Sequence, residues 1–134
     1  MRFLNALPWI LLGVLMVLHG FAHLPAVLGS WGLATFDDVS FQPNVLLTGA
    51  GDNLVRVLGA VWFLAAVSYV VAGIGVLRRA YWWPLLTAVA IVLSLPMTML
   101  WREDAVIGLV LNSAILALMA GWLLIGLQRT RQPA

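Results

Sequence analysis

Four long apolar runs separated by short polar segments dominate the chain: Leu4 to about Leu28, Leu54 to Leu77, Tyr81 to Trp101 and Ala105 to Leu127. At 1.5 Å per residue each is long enough to cross ~30 Å of hydrocarbon. The pattern predicts four transmembrane helices and one sizeable loop, residues 29–53. The expected fold is all-α, a membrane-embedded four-helix bundle occupying residues 1–134 as a single domain with no room for a soluble catalytic domain. Small residues recur every seven positions: Ala6, Gly13 and Gly20 in the first run, Gly59, Ala66 and Gly73 in the second, Ala114 and Gly121 in the fourth. Seams with that period predict close, left-handed helix packing.

Composition agrees with a bilayer solvent. The chain is 63% hydrophobic and 9% charged, with a mean hydropathy of +1.05, whereas soluble domains carry about 25% charged residues. Its seven basic residues are all arginines, scattered in ones and twos. A nucleic-acid partner needs a clustered basic face, so none is expected. Without cysteine, disulfides, thiolate metal sites and cysteine nucleophiles are excluded. Arg2 followed by an apolar run also fits a signal peptide with a cut before Ser30, but the run is longer than a usual signal core.

The charges sort by end. Arg2, Arg78, Arg79, Arg129 and Arg131 fall on one side of the four spans, and Asp37, Asp38, Asp52, Glu103 and Asp104 on the other. By the positive-inside rule both termini and the Arg78-Arg79 turn are expected in the cytoplasm, with the 29–53 loop and the Arg102–Asp104 turn outside. Trp9, Tyr81, Trp82 and Trp83 read as inner interfacial anchors and Trp31 and Trp101 as outer ones, while Trp62 is deeper and a core candidate. The outer loop, with Trp31, Phe36 and Phe41 among its acids and glycines, reads as a ligand cover or as a plug. Asp52 and Asn53 are candidate N-caps of the second helix. Asp52 stands four residues before Arg56, and Arg102 stands beside Glu103 and Asp104; both sets are candidate ion pairs.

The segment LHGFAHLP, residues 18–25, puts His19 and His23 one turn apart inside the first span. Counting inward from the outer boundary places His23 near the interface and His19 about 6 Å deeper. Arg56 lies in the first turn of the second helix, Thr98 and Ser94 lie one and two turns below Trp101, and Asn112 lies about two turns into the fourth helix. Pro25 and Pro96 free the carbonyls of Phe21 and Val92 at similar depth. In the inner half Ser68, Tyr69 and Thr87 are the main polar side chains. The expectation is an outward polar vestibule lined by His19, His23, Arg56, Ser94, Thr98 and Asn112. Several chemistries are open to the histidines: a metal site, though a third ligand is missing; haem ligation, though both lie on one helix; hydrogen bonding to Asn112, Thr98 or a ligand carbonyl; or simple hydration of His23. Arg56 and Arg102 read as snorkelling to headgroups or, for Arg56, as holding an anionic or carbonyl-bearing ligand. No phosphate loop, nucleophile elbow or paired acid and base is found, so no catalytic residue is assigned.

The stretches LHGFAHL, RVLGAVWFLAA and WREDAVIGLVLNS resemble a group of small bacterial four-helix membrane proteins, some labelled permease-like. The layout is also similar to the DoxX-like superfamily. The resemblance covers most of the chain and falls on Gly20, His23, Arg56, Gly59, Trp62, Trp101, Asp104 and Asn112. DoxX-like proteins usually carry an acid within the second helix, which this chain lacks. The resemblance implies the fold and the outer polar cluster and supplies no reaction.

The expected protein is a non-enzymatic, multi-pass protein of the bacterial plasma membrane. It binds a small or lipid-like ligand or docks a membrane partner, and needs no cofactor. The alternatives are a redox accessory subunit holding quinone or haem through His19 and His23, or a small transporter acting as a homodimer.

Overall fold

The computed structural model describes residues 2–35, 51–102 and 105–131. The loop positions Phe36, Asp37, Asp38 and Phe41, and the pairing candidates Glu103 and Asp104, lie outside the described residues. Among the described residues all regular structure is helical: α1 (Arg2–Ala22), α2 (Leu24–Ser30), α3 (Asp52–Leu77), α4 (Trp83–Leu100) and α5 (Val106–Arg131). Three helical stretches are long and apolar enough to cross a membrane: Ala6–Ser30, Asp52–Leu77 and Trp83–Leu100. A fourth apolar segment, Val106–Trp122, belongs to α5.

The first apolar run is two helices in one rod. Pro25 has no amide hydrogen to give back to Phe21, and the rod breaks at His23, two residues before the proline. There the His23 amide turns to the Gly20 carbonyl at 3.2 Å, and the His23 carbonyl receives the Val27 amide at 3.3 Å. Pro96, by contrast, is accommodated inside α4 without ending it.

The ends of the rods are closed by backbone geometry. Asp52 and Asn53 are not caps: Gly51 holds the N-cap position of α3, and Asp52 sits in the first turn, where the helix dipole favours an acid. At the other end of α3 the Arg79 amide bonds the Val76 carbonyl and the Ala80 amide bonds that of Gly75. This is a Schellman closure with a non-glycine residue, Arg79, at φ 53°. Gly32, at φ 66°, closes α2 in the same way through the Leu28 and Gly29 carbonyls. The Arg78-Arg79 side is termed the arginine end of the bundle and the Ser30/Asp52 side the loop end.

The rods stand in the order α1/α2, α3, α4, α5, each packed on the next, with only slight contact from α5 back to α1. The seven-residue seams of the first two runs meet across the α1–α3 interface. A Cβ on Gly73 would lie 2.7 Å from the Gly13 carbonyl oxygen, and one on Gly20 would lie 2.8 Å from the Ala66 carbonyl oxygen. Beyond the rod's break, Gly59 makes room for Ser30 and Trp31. The Ala114/Gly121 pair forms no such seam: Ala114 is exposed and, among the described residues, nothing lies within 4 Å of a Cβ on Gly121.

Two apolar cores result. Met16, Tyr69, Val76, Trp83, Ile91 and Ile115 pack toward the arginine end, and Val27, Trp62, Met97 and Trp101 toward the loop end. Because backbone atoms cannot yield at the seam, Gly20→Leu and Gly73→Leu are each expected to destabilise the protein by about 1–3 kcal/mol or more. Gly121→Leu should have little effect; thermal unfolding of the three variants in mild detergent measures the contrast.

Candidate functional site

Between the two cores, side chains from all four rods converge on one residue, Asn112 of α5. Its Oδ1 accepts from the Tyr69 hydroxyl of α3 at 2.6 Å and from the Ser94 hydroxyl of α4 at 3.1 Å. The same oxygen lies 2.8 Å from His19 Nε2 of α1. An amide oxygen only accepts, so His19 carries its hydrogen on Nε2 and donates it there. The Asn112 amide nitrogen donates to Thr98 Oγ1 at 3.3 Å, and Thr98 in turn donates to the Leu95 carbonyl at 2.9 Å. A carbonyl oxygen has two lone pairs. His19 and Tyr69 take the short positions, while Ser94 divides its hydrogen between Asn112 and Tyr69, whose hydroxyl is 3.2 Å away.

His23 sits one turn toward the loop end and makes no part of this network through Nε2. Its ring lies against three others: His19 at a centroid distance of 4.6 Å, Trp62 at 4.8 Å and Tyr69 at 5.6 Å. Trp62 in turn meets Trp101 edge-on at 6.1 Å. Four ring nitrogens in this stack are buried with no hydrogen-bond partner among the described residues: His19 Nδ1, His23 Nε2, Trp62 Nε1 and Trp101 Nε1. Buried polar atoms are nearly always paired, and each orphan costs roughly 1–3 kcal/mol. The two indoles can only donate; His19 Nδ1, bare once Nε2 holds the hydrogen, can only accept.

The structure thus brings together His19, Ser94, Thr98 and Asn112 of the residues picked out by sequence, with His23 beside them. All are buried, none more than 4% exposed, so they face one another and do not line an open vestibule. His23 is enclosed by its neighbours. Arg56 is not among them. It is exposed and lines a separate pocket of about 260 Å³ at the loop end with Asp52, Ser30 and Trp31. Among the described residues Asp52 and Arg56 form no ion pair, and what holds that corner is Trp31 Nε1 donating to the Arg56 carbonyl at 2.9 Å. Arg102 is exposed, and Trp101, expected at the outer interface, is buried inside the bundle.

Comparison with protein-family models, curated proteins and solved structures finds no match to the chain. The site must be understood from its own chemistry. Two of its members escaped the sequence reading. Tyr69 counts by residue number into the inner half, but helical side chains lean toward their own N-terminus. In α3 and α5 that direction is the loop end and in α1 it is the arginine end, so Tyr69 and Asn112 reach up while His19 reaches down. The signal was available, since the antiparallel order of the spans fixes these directions. Trp62 was a core candidate without a partner; only the packing shows it facing His23.

Neither histidine offers a simple metal site. His19 spends Nε2 on Asn112, the two imidazoles touch, and among the described residues no three His, Cys, Asp or Glu side chains gather. What the arrangement sets side by side is two unpaired indole donors and one unpaired imidazole acceptor among closely packed rings. Asn112→Leu removes the shared acceptor and strands the His19 and Tyr69 hydrogens, so it is expected to destabilise by about 1–3 kcal/mol. Ser94→Ala, which removes a long, divided bond, should cost no more than about 0.6 kcal/mol, the average for interhelical polar contacts in a membrane. Equilibrium unfolding of the two variants in detergent checks the ranking.

Proposed function

We propose that the protein is a non-enzymatic, multi-pass protein of the bacterial plasma membrane, with both termini in the cytoplasm, that holds a small hydrogen-bonding ligand or the headgroup of a lipid-like one. The apolar length of the rods and the sorting of arginines from acids support the placement. The observation that carries the ligand is the set of four orphaned nitrogens within one aromatic stack. A guest with an oxygen acceptor for the Trp62 and Trp101 indoles and a hydroxyl or N–H for His19 Nδ1 would satisfy three of the four, and His23 Nε2 donates or accepts according to its tautomer.

A planar carbonyl-bearing ring such as a quinone is the second reading. It is favoured by the two unpaired indole donors, Trp62 Nε1 and Trp101 Nε1, each of which would take a carbonyl oxygen.

Native mass spectrometry of protein extracted in mild detergent, with analysis of the organic extract, tests both readings. Wild type should carry a stoichiometric adduct that Trp62→Phe weakens by about tenfold, the value of one hydrogen bond to a desolvated donor. His23→Leu should lose the adduct while circular dichroism shows the helices intact. A quinone in the extract favours the second reading. Wild-type protein without an adduct, or an adduct indifferent to both substitutions, would mean that ordered water alone fills the stack.

A further inference from the structure

A second site lies at the opposite end of the bundle, where α5 fails to close against α1. The gap there is a groove of about 470 Å³, within the usual range for ligand pockets. Trp9, Met16, Trp83, Ile115, Met119 and Trp122 form much of its wall. The hydroxyl in the wall, that of Thr87, is already satisfied, because it donates to the Trp83 carbonyl at 2.9 Å. The groove therefore asks chiefly for apolar volume, with the indole N–H groups of its three tryptophans as the remaining donors.

Its mouth is cationic. Trp9 stands edge-on to Trp83 at 6.2 Å, Trp83 lies 5.4 Å from Trp122, and the Arg79 guanidinium sits 6.0 Å over the Trp9 ring. Arg79 holds that position from a left-handed backbone conformation, φ 53°, where glycine is the ordinary choice and an L side chain costs about 1–2 kcal/mol. The equivalent closure of α2 does use glycine, Gly32. A cation has thus been placed at the groove's rim against the preference of the backbone. In the sequence no acid lies between Asn53 and Arg102, so apart from Asp52 at the far end of α3 there is no carboxylate on α3, α4 or the turn joining them to neutralise Arg79.

We propose that the groove between α1, α4 and α5 binds one anionic phospholipid, with an acyl chain along the tryptophan wall and its phosphate on Arg79. An arginine fork matches phosphate oxygens, and its stacking on Trp9 orients the fork beside the chain's entrance. The site is separate from the histidine stack and does not depend on a ligand there.

The test is native mass spectrometry of delipidated full-length protein titrated with phosphatidylglycerol or phosphatidylcholine of identical chains. Wild type is expected to retain one phosphatidylglycerol with about tenfold preference, the equivalent of one charge-assisted hydrogen bond. Arg79→Gln should abolish the preference, Arg79→Lys should keep much of it, and Arg78→Gln should leave it unchanged. Leu118→Trp, which adds bulk at the groove wall, should reduce retention of both lipids. Equal retention of the two lipids by wild type, or equal loss of preference in Arg78→Gln and Arg79→Gln, overturns the proposal. So does a protein dimer that forms at the expense of bound lipid and is broken by Leu118→Trp, because the groove would then belong to a second copy. The His23→Leu variant should keep the lipid preference, which separates failure of this site from failure of the other.

Discussion

The side-chain oxygen of Asn112 is the point on which the bundle's polar chemistry depends. Hydrogen-bond donors from α1, α3 and α4 meet on it. In an apolar interior an unpaired hydroxyl or imidazole N–H is costly, so each of these helices is held in register by the need to reach the same acceptor. Hydrophobic contacts allow neighbouring helices to slide by a turn with little change in buried area. A shared acceptor does not, and it separates the two apolar cores at a defined level.

The glycine seam makes that meeting possible. Gly13 against Gly73 and Gly20 against Ala66 bring the α1 and α3 backbones close enough for Tyr69 to pass beneath Gly20 and reach the α1 histidines. The break at His23 then redirects the rod, so that Ser30 and Trp31 dock on Gly59 instead of diverging. Where no seam exists, at Ala114 and Gly121, α5 leans on α4 and leaves the groove beside α1. One interface is closed by small residues and the opposite one is left open, and the two candidate sites follow from that difference.

Much of this was legible in the chain. Apolar run length located the rods to within a few residues, and the seven-residue spacing of Gly13, Gly20, Gly59, Ala66 and Gly73 marked the faces that form the closest interface. Polar groups on separate spans could be grouped by depth, which brought His19, Ser94, Thr98 and Asn112 together correctly. Depth by residue count ignores the lean of side chains, and for that reason it missed Tyr69. It also says nothing about azimuth, so Arg56 was grouped with residues it does not face. The spacing of Ala114 and Gly121 matched the other seams but had no partner, because a period shows that a face exists and not what covers it. Whether a polar cluster is an open vestibule or a closed stack depends on ring packing among His23, Trp62 and Trp101, which sequence spacing does not encode.

The most direct measurement of the shared acceptor is the tautomer and exchange behaviour of His19, read by long-range nitrogen–proton correlation in protein reconstituted into nanodiscs. With Asn112 as acceptor, His19 should be a single Nε2–H tautomer whose proton persists for hours in deuterated solvent. A mixture of tautomers, or a proton exchanged at once, would show that Asn112 does not gather these helices.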